Sequence, residues 1–496
     1  MLTQKVLKGS ALLTVGQVSV RLIDFLSIIV TARLLLPEDF GLVALANTTL
    51  IVIGSVTNFP VLDALIRKES LDQNDIDTAF TLNLARSALV TLTILAAAHP
   101  IANIYSDERL VSILFVLSIA VFSQGLISPG MTFFVRDLDF KPQVILLLAS
   151  KFTSVFLTIA LAFYIRSYWA IIIGLVSVPL LTTIGSYFLK FYSPRFCLKS
   201  SKELFQFTGW ITASNTLSTT NAYGDRFFIG SFAGSTMLGH YYQAGIVAIT
   251  ATANFVSPFS QVLFSAFSKL QGDHDRLGHA LLRGQYALAL VMFPLAIFLS
   301  AFSFQVVMLI LGPNWGVTAD FLVWLFPAEA LLALSVPIHA VILASGRTSY
   351  LAAREFILLF VRLAPVVLVA YYLGLYEAVV TRALITPVII LINFCFVWRV
   401  IGLSLSAQLG ILIRPSISAL VLYLMLLSFK ASFHPPDVSI WLAAYLGLAL
   451  VLAVATYLAL TLALWLVFGR PSGPENKIVE VMASKIRRWR GCEGLS

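Results

Sequence analysis

The chain alternates between long apolar stretches and short polar links over nearly its whole length. A helix needs about 20 mostly apolar residues to cross the hydrocarbon core of a bilayer. We predict such a helix for fourteen stretches, at residues 10–31, 40–60, 77–98, 109–130, 142–163, 168–189, 206–232, 239–260, 284–303, 318–343, 353–372, 376–398, 412–429 and 439–467. Among the links on the side of the membrane that carries the N-terminus, those near 190–205 and 261–283 are the longest. The pattern therefore predicts an all-α polytopic membrane protein.

The composition supports the membrane class. Of 496 residues, 59% are hydrophobic and 11% are charged, whereas a soluble domain carries about 25% charged residues. The three cysteines, Cys197, Cys395 and Cys492, are far apart, and no spacing typical of metal ligands occurs. We therefore predict neither a disulfide framework nor a metal site.

The basic residues in the links predict the orientation of the chain. With the N-terminus inside, most lysines and arginines outside the helices fall on the inner side. The outer links carry only Arg33, Arg109, Arg166 and Lys430, and Arg382 lies a turn or two inside the outer end of its helix. This is the distribution that the positive-inside rule describes. It predicts that both termini are cytoplasmic. It also accounts for the net charge of +9 without a nucleic-acid partner.

A weak internal repeat predicts the domain organisation. The sequence ARLLLPEDFGLVALA at 32–46 aligns without gaps on GSFAGSTMLGHYYQA at 230–244, which places Gly41 opposite Gly239. These stretches follow the first and seventh helices, so the repeating unit has six helices in one orientation. We predict an N-terminal lobe at 1–195, a C-terminal lobe at 196–400, two further helices at 401–469 and a tail at 470–496. The tail is either a basic amphipathic helix on the membrane surface or a disordered basic segment.

Charged residues within the predicted helices are the main functional signal. A charge at the bilayer centre costs about 2.5–3.5 kcal/mol on insertion scales, so such residues face a cavity or a partner. Bases outnumber acids, which predicts a polar route for an anionic substrate. An alternative is that the bases pair with acids on other helices. The bases are Arg21, Arg86, Lys151, Arg226 and Arg362, and the acids are Asp24, Asp225 and Glu329.

Two of these acids have polar neighbours along the chain. Asp24 lies three residues after Arg21, so the two side chains share a helix face and can pair locally. Asp225 lies on a helix that also carries Asn215 and Asn221. This set, together with Glu329, is our candidate for ion coupling or for charge compensation of the bases.

Motifs for catalysis are absent from the sequence. There is no Walker loop, no G-x-S-x-G and no H-E-x-x-H. No link is long enough for a soluble catalytic domain. We therefore predict a transporter without a cofactor rather than an enzyme.

Five stretches carry a resemblance to a known family. They are ARLLLPEDFGLVALA, FFVRDLDFKPQ, GDRFFIGSFAGSTMLGHYYQAG, SPFSQVLFSAFSKLQGDHDRL and LGPNWGVTADFLVWL. In this order and spacing they resemble the bacterial polysaccharide flippases of the Wzx type, which belong to the multidrug/oligosaccharidyl-lipid/polysaccharide exporter superfamily. The likeness is greatest to exporters of exopolysaccharide and colanic-acid-type repeat units, and it extends to about Phe468.

The resemblance implies two six-helix lobes around a central cavity with alternating access. It implies a substrate, an undecaprenyl-pyrophosphate-linked oligosaccharide, that moves from the cytoplasmic to the periplasmic leaflet of the inner membrane. Arg21 best matches the family's pyrophosphate-attracting residues. The resemblance leaves open coupling to protons or sodium and contact with a polysaccharide polymerase and export machinery, and we expect a monomer. The alternatives are a multidrug or cation exporter of the same superfamily and a polymerase-type membrane enzyme.

Overall fold

The structure, a computed structural model, describes residues 2–56, 65, 72–193, 195–199, 209–270, 273–345, 348–433 and 440–469. Within these residues the secondary structure is helical, with no β-strand. The predicted amphipathic tail at 470–496 lies outside the described residues.

The long helices are numbered α1 to α14 in chain order. The helical run Gly209–Lys269 breaks at Gly234, whose φ of 76° is not helical, and α7 and α8 are the parts before and after the break. The helix α10 comprises Gly316–Ala333 and Ser335–Ala344. The remaining helices are Leu2–Leu34 (α1), Pro37–Val56 (α2), Gln73–Tyr105 (α3), Arg109–Gly125 (α4), Lys141–Ile165 (α5), Trp169–Leu189 (α6), His274–Ala301 (α9), Thr348–Tyr372 (α11), Leu375–Ile401 (α12), Leu405–Ser432 (α13) and Ile440–Val467 (α14). Shorter helices occur at Met131–Arg136 and Ser303–Ile310.

The helices match the predicted architecture. Among the described residues, eleven helices are long and apolar enough to cross a membrane. The shorter apolar helix α4 and the pair α7 and α8 bring the total to fourteen. The prediction of an all-α polytopic membrane protein with about fourteen helices is confirmed.

Several predicted helix boundaries differ from the structure, and two of these differences have a clear cause. Helix α3 begins at Gln73 rather than near residue 77, because Asp72 caps it and Asp75 completes the capping box. The predicted long connection at 261–283 is wrong, because α8 continues to Lys269 and α9 starts at His274. The apolar residues continue at helical spacing beyond the membrane-length stretch, and Phe267 among them is fully buried.

The contacts between helices divide the chain into two compact units. The first unit contains Met1–Asn254, Ile310–Phe321 and Thr348–Arg382, and the second contains Phe255–Leu309, Leu322–Arg347 and Ala383–Ser496. The predicted division into two six-helix lobes follows different boundaries and stays a prediction.

Close helix crossings at small residues hold the first unit together. Ser154 on α5 donates a hydrogen bond to the carbonyl oxygen of Gly174 on α6 at 2.7 Å. A Cβ atom at Gly174 would lie 1.9 Å from Oγ1 of Thr158. Small residues at membrane-helix interfaces allow this kind of backbone approach. The α5–α6 crossing therefore requires a residue without a side chain at position 174.

We expect Gly174→Ala to destabilise the protein by about 1–3 kcal/mol, which is the usual cost of overpacking. The matched control is Gly447→Ala on α14, where a new Cβ would meet nothing within 4 Å. Thermal unfolding in detergent measures both variants. A midpoint for Gly174→Ala equal to that of Gly447→Ala would contradict the expected crowding.

Buried amide side chains connect helices of the second unit. Asn393 on α12 donates a hydrogen bond to Oγ of Ser335 on α10 at 2.8 Å. Gln408 on α13 donates to the carbonyl oxygen of Phe394 on α12 at 3.2 Å. Polar side chains commonly hydrogen-bond across helices in this way within membranes. These residues therefore have a structural role.

A charged cluster joins the ends of α2, α3 and α4. Arg109 contacts Glu38 at 2.7 Å and Asp107 at 2.8 Å. The hydrogen bond from Arg109 lowers the pKa of the Asp107 carboxyl, although partial burial opposes the shift. The same two acids raise the pKa of Arg109. Asp107 and Arg109 are therefore both ionised at neutral pH.

Candidate functional site

A cavity of about 680 Å³ lies within the first unit. Its walls come from α1, α2, α5, α6 and α8. Its charged lining residues are Arg21 and Asp24 from α1 and Lys151 from α5. Two cations and one anion line it, so the lining carries a surplus of one positive charge. We call this space the main cavity.

Lys151 and Asp24 form an ion pair across the main cavity wall, between Nζ and Oδ1. Their side chains are 20% and 42% exposed, respectively, so the pair is accessible from the cavity. The alternative that buried bases pair with acids on other helices therefore holds for Lys151. The pair places a carboxylate and an ammonium group beside Arg21, where an anionic ligand could exchange with the carboxylate.

Hydroxyl groups form much of the remaining polar wall, and several of them donate hydrogen bonds to backbone carbonyl oxygens. Thr31 donates to the carbonyl oxygen of Ser27 at 2.7 Å, and Thr158 donates to that of Ser154 at 2.9 Å. Gln243 on α8 differs, because neither atom of its amide has a hydrogen-bond partner although the residue is fully buried.

Arg86 lines a second cavity of about 370 Å³, which also lies in the first unit. Its polar lining includes Asn47 and Gln124. Leu175 and Pro179 of α6 line both this cavity and the main cavity. Arg86 is thus close to the main cavity but is separated from it by these two apolar side chains.

Asp225 is the centre of a buried charge cluster. Its Oδ2 atom accepts a hydrogen bond from the hydroxyl of Tyr241 at 2.6 Å and one from Nη1 of Arg382 at 3.3 Å. Nη2 of Arg362 lies 3.9 Å from the same atom. The backbone N–H of Arg226 donates to Oδ1 at 2.9 Å. Both carboxylate oxygens of Asp225 therefore have donors.

Arg226 is buried between two aromatic rings. Its guanidinium carbon lies 5.0 Å from the ring centres of both Tyr223 and Tyr242. Such cation–π contacts stabilise a charge that has left water. Arg226 and Arg362 line neither of the two cavities described above. Arg21 and Lys151 thus line the main cavity and Arg86 lines the neighbouring one. The role of the five bases in binding a substrate stays a prediction.

The other candidates for ion coupling are dispersed. Asn215 is exposed, whereas Asn221 is buried and its Oδ1 atom has no hydrogen-bond partner. Glu329 lies on α10 in the second unit and is half-buried. No group of three or more His, Cys, Asp or Glu side chains in the described part of the chain is arranged to hold a metal ion. The role of these residues in ion coupling stays a prediction.

Sequence reasoning missed Arg382 as a partner of Asp225. Arg382 lies about two turns inside α12 and is 6% exposed. The sequence could have indicated that Arg382 has a partner, because a guanidinium so far from the helix end requires one. Sequence spacing could not identify that partner, because Asp225 is 157 residues away.

Comparison with known proteins gives consistent results. A family model described as "Polysaccharide biosynthesis protein" matches residues 30–320. The chain is 22% identical to the succinoglycan biosynthesis transport protein ExoT of Rhizobium meliloti (strain 1021), over 63% of this chain and 62% of that protein. It is also 22% identical to the lipopolysaccharide biosynthesis protein WzxC of Escherichia coli (strain K12), over 70% and 71% of the two chains.

A solved structure shares the fold. The lipid II flippase MurJ in an inward closed conformation aligns with a TM-score of 0.70 and 13% identity, over 91% of this chain and 98% of that chain. At this identity the likeness concerns the fold alone.

Proposed function

Because the chain belongs to the polysaccharide biosynthesis protein family, we propose that it is a membrane flippase for lipid-linked oligosaccharides. Its substrate is an undecaprenyl-pyrophosphate-linked repeat unit for exopolysaccharide or lipopolysaccharide. Alternating access moves the head group from the cytoplasmic to the periplasmic leaflet. The chain is a transporter rather than an enzyme, as are its relatives.

The main cavity is the observation that carries this proposal. Arg21 and Lys151 both line it, and a guanidinium group binds phosphate oxygens with two parallel hydrogen bonds. Lys151 adds a compact positive charge, and this residue type is also common in phosphate sites. The hydroxyl-lined wall suits the sugar part of such a substrate.

The ion pair between Lys151 and Asp24 suggests how the site holds and releases its substrate. A pyrophosphate that approaches Arg21 competes with Asp24 for Lys151. Binding then breaks the ion pair, and release restores it. The charged groups stay on α1 and α5 throughout, so the substrate moves while the bases do not cross the membrane with it.

The charge distribution supports the proposed orientation, and the proposed substrate supports the proposed location. The positive-inside rule favours cytoplasmic termini, and a substrate on undecaprenyl pyrophosphate places the protein in the bacterial inner membrane. The same proposal includes coupling to protons or sodium, contact with the polysaccharide polymerase and a monomeric state.

The cavity charges also bear on the alternative functions. A cationic drug would favour an acidic cavity, whereas the lining here carries one more positive than negative charge. A polymerase-type enzyme would need catalytic groups, and the sequence carries no catalytic motif. The flippase therefore explains the site better than either alternative.

Reconstitution into proteoliposomes tests the proposed function. Moving one negative charge outward across an inside-negative membrane is favourable by about 2.3 kcal/mol per 100 mV. We expect transfer of undecaprenyl-pyrophosphate-linked oligosaccharide, detected separately in each leaflet, to accelerate when a potassium diffusion potential makes the cytoplasmic side negative. Transfer that is no faster than in liposomes without protein would contradict the proposal.

A further inference from the structure

A third cavity, of about 470 Å³, lies where the ends of several helices meet. Its walls come from the break between α7 and α8, the start of α10, the end of α11 and the start of α12, and all of its lining residues belong to the first unit. In the proposed orientation, odd-numbered helices end and even-numbered helices begin on the extracytoplasmic side. The cavity therefore opens on that side, and we call it the outer pocket.

Apolar side chains form most of the outer pocket. Phe232 of α7, Met237 of α8 and Tyr376 of α12 line it, and all three are exposed. Tyr371 packs edge-on against Phe232, with the ring centres 5.7 Å apart, so the aromatic surface continues beyond the lining. The face of an aromatic ring carries partial negative charge and attracts the weakly positive C–H groups of a sugar ring.

Two carboxylates supply the charge of the outer pocket. Asp320 lies one turn into α10, on the same helix face as Val317 and Phe321. Glu377 lies in the first turn of α12. Gly374 in the preceding link has a φ of 114°, and a Cβ atom there would lie 3.1 Å from Oε2 of Glu377. Among the lining residues that the structure describes there is no lysine, arginine or histidine.

The charges of the outer pocket and of the main cavity are opposite in sign. The main cavity has a surplus of one positive charge, whereas two carboxylates line the outer pocket. A carboxylate accepts hydrogen bonds from hydroxyl groups, and these are roughly twice as strong as bonds between neutral groups. The same carboxylates repel a pyrophosphate. The outer pocket therefore suits a neutral group rich in hydroxyls rather than the phosphate end of a lipid-linked substrate.

The dimensions and support of the outer pocket are those of a binding site. Small-molecule sites typically enclose about 300–1,000 Å³ and combine apolar and aromatic walls with a few polar groups. Phe321 in the wall is 2% exposed and packs edge-on against Tyr241, with the ring centres 6.4 Å apart. Tyr241 donates the hydrogen bond to Asp225 described above. The buried charge cluster therefore supports this wall from behind.

Anchoring to lipid head groups is the other common role of aromatic residues at a membrane surface. It accounts for exposed rings such as Tyr371 and Tyr372. It does not account for a concave site with two carboxylates, because these repel the phosphates of lipid head groups. A sugar ligand explains the rings and the carboxylates together.

We propose that the outer pocket is a carbohydrate-binding site that receives the sugar end of the substrate after it has crossed the membrane. Phe232 and Tyr376 pack against sugar rings, and Asp320 and Glu377 accept hydrogen bonds from sugar hydroxyls. The pyrophosphate stays away from the two carboxylates. This inference rests on the proposed function for its ligand and orientation, but binding at the outer pocket can be tested without transfer.

Protection of a cysteine from labelling tests the outer pocket. The native Cys197, Cys395 and Cys492 are replaced by serine, and Met237→Cys places a reporter in the pocket wall. Right-side-out membrane vesicles are treated with a membrane-impermeant maleimide. The probe is the repeat-unit oligosaccharide that mild acid releases from the lipid-linked intermediates of the host. At about nine times its Kd it should slow labelling about tenfold, because one pocket in ten is then empty.

Variants of the wall identify the groups that bind the sugar. Phe232→Ala and Tyr376→Ala each remove one ring, and each should raise the oligosaccharide concentration for half-protection about tenfold. Glu377→Gln keeps an acceptor oxygen but loses the charge, so its effect should be smaller. The side chains of all three residues are exposed, so we expect the midpoint of thermal unfolding to stay that of the parent protein.

The controls lie on the same side of the membrane but outside the outer pocket. Tyr164→Cys at the end of α5 is a reporter at an aromatic residue that is 90% exposed, and the oligosaccharide should not slow its labelling. Glu108→Gln removes an exposed carboxylate just before α4 and should leave half-protection of Met237→Cys unchanged. Inorganic pyrophosphate should protect neither reporter.

Several results would overturn the carbohydrate site. They are unslowed labelling of Met237→Cys, equal protection of Tyr164→Cys, and unchanged half-protection in both alanine variants. Protection by pyrophosphate would indicate an anion site instead, and labelling only in inverted vesicles would place the pocket on the cytoplasmic side. If any of these results accompanies normal transfer in proteoliposomes, the carbohydrate site fails while the flippase stands, so the two failures are distinguishable.

Discussion

Arg21→Gln is expected to lower the transfer of pyrophosphate-linked oligosaccharide by about tenfold or more. A hydrogen bond to a charged group contributes about 1.5–3 kcal/mol, and 1.4 kcal/mol corresponds to a factor of ten. Lys151→Gln should reduce transfer as well, and the double variant should reduce it further. Leaflet-resolved transfer in proteoliposomes measures all three.

The control for both variants is Arg276→Gln at the start of α9. Its side chain is 78% exposed and forms an ion pair with Asp273 of the same turn. This change removes one positive charge without touching the main cavity, so transfer should remain normal. A second control, Arg21→Lys, separates charge from geometry, since lysine keeps the charge but loses the two parallel hydrogen bonds.

Full transfer by Arg21→Gln and Lys151→Gln, at normal expression, would refute the role of the main cavity in binding pyrophosphate. Asp24→Asn gives an independent check. It frees Lys151 from its ion pair, so we expect tighter substrate binding and slower release. Faster release in this variant would argue against competition between Asp24 and the substrate.

The fold was largely predictable because the membrane imposes a simple rule. Each spanning helix must be long and apolar, so its position appears directly in the sequence. The wrong prediction of a long connection at 261–283 also results from this rule. Helix α8 continues to Lys269, although its apolar stretch of membrane length ends earlier. Hydropathy reports the part of a helix that lies in lipid, whereas capping and packing decide where the helix ends.

The sequence identified the charged residues that line the main cavity, but it did not identify the partners that they have on other helices. Depth identified Lys151 and Asp24 as costly charges. Helix spacing suggested Arg21 as a partner of Asp24, and the structure shows a further partner that spacing could not suggest, Lys151 from α5. Partners on one helix can be read from spacing, but partners on different helices depend on how the helices pack.

The contact between α2 and α8 illustrates the same limit. The alignment of 32–46 on 230–244 identified Gly41 and Gly239 as equivalent positions. Equivalence in sequence does not imply contact. Only the packing of α2 against α8 places each glycine on the other helix, and only there does the absence of a side chain become a requirement.

Asp225→Ala is expected to cause the largest loss of stability among the variants considered. Removing one partner of a buried ion pair typically costs about 3–5 kcal/mol, because the other charge stays buried without compensation. Asp225 is 2% exposed, and it contacts Arg382 at 3.3 Å and Arg362 at 3.9 Å. The midpoint of thermal unfolding in detergent should fall well below that of the wild type.

A matched variant, Tyr241→Phe, leaves every charge in place. It removes the 2.6 Å hydrogen bond to Asp225 and the 2.6 Å hydrogen bond that the Tyr241 hydroxyl accepts from Arg382. It should cost about 0.5–1.5 kcal/mol, or up to about 3 because the acceptor is charged. A loss in Asp225→Ala no larger than this would show that the arginines do not depend on the carboxylate.

A double-mutant cycle attributes the loss to the ion pair. Arg382→Met removes the nearer cation and keeps an apolar side chain of similar length. If burial of an uncompensated charge causes the instability of Asp225→Ala, then the combination with Arg382→Met should recover part of the lost stability. Because Arg362 would still face the missing carboxylate, recovery should be incomplete. Additive losses in the double variant would mean that Asp225 and Arg382 stabilise the protein independently, and that the charge cluster is not a single unit.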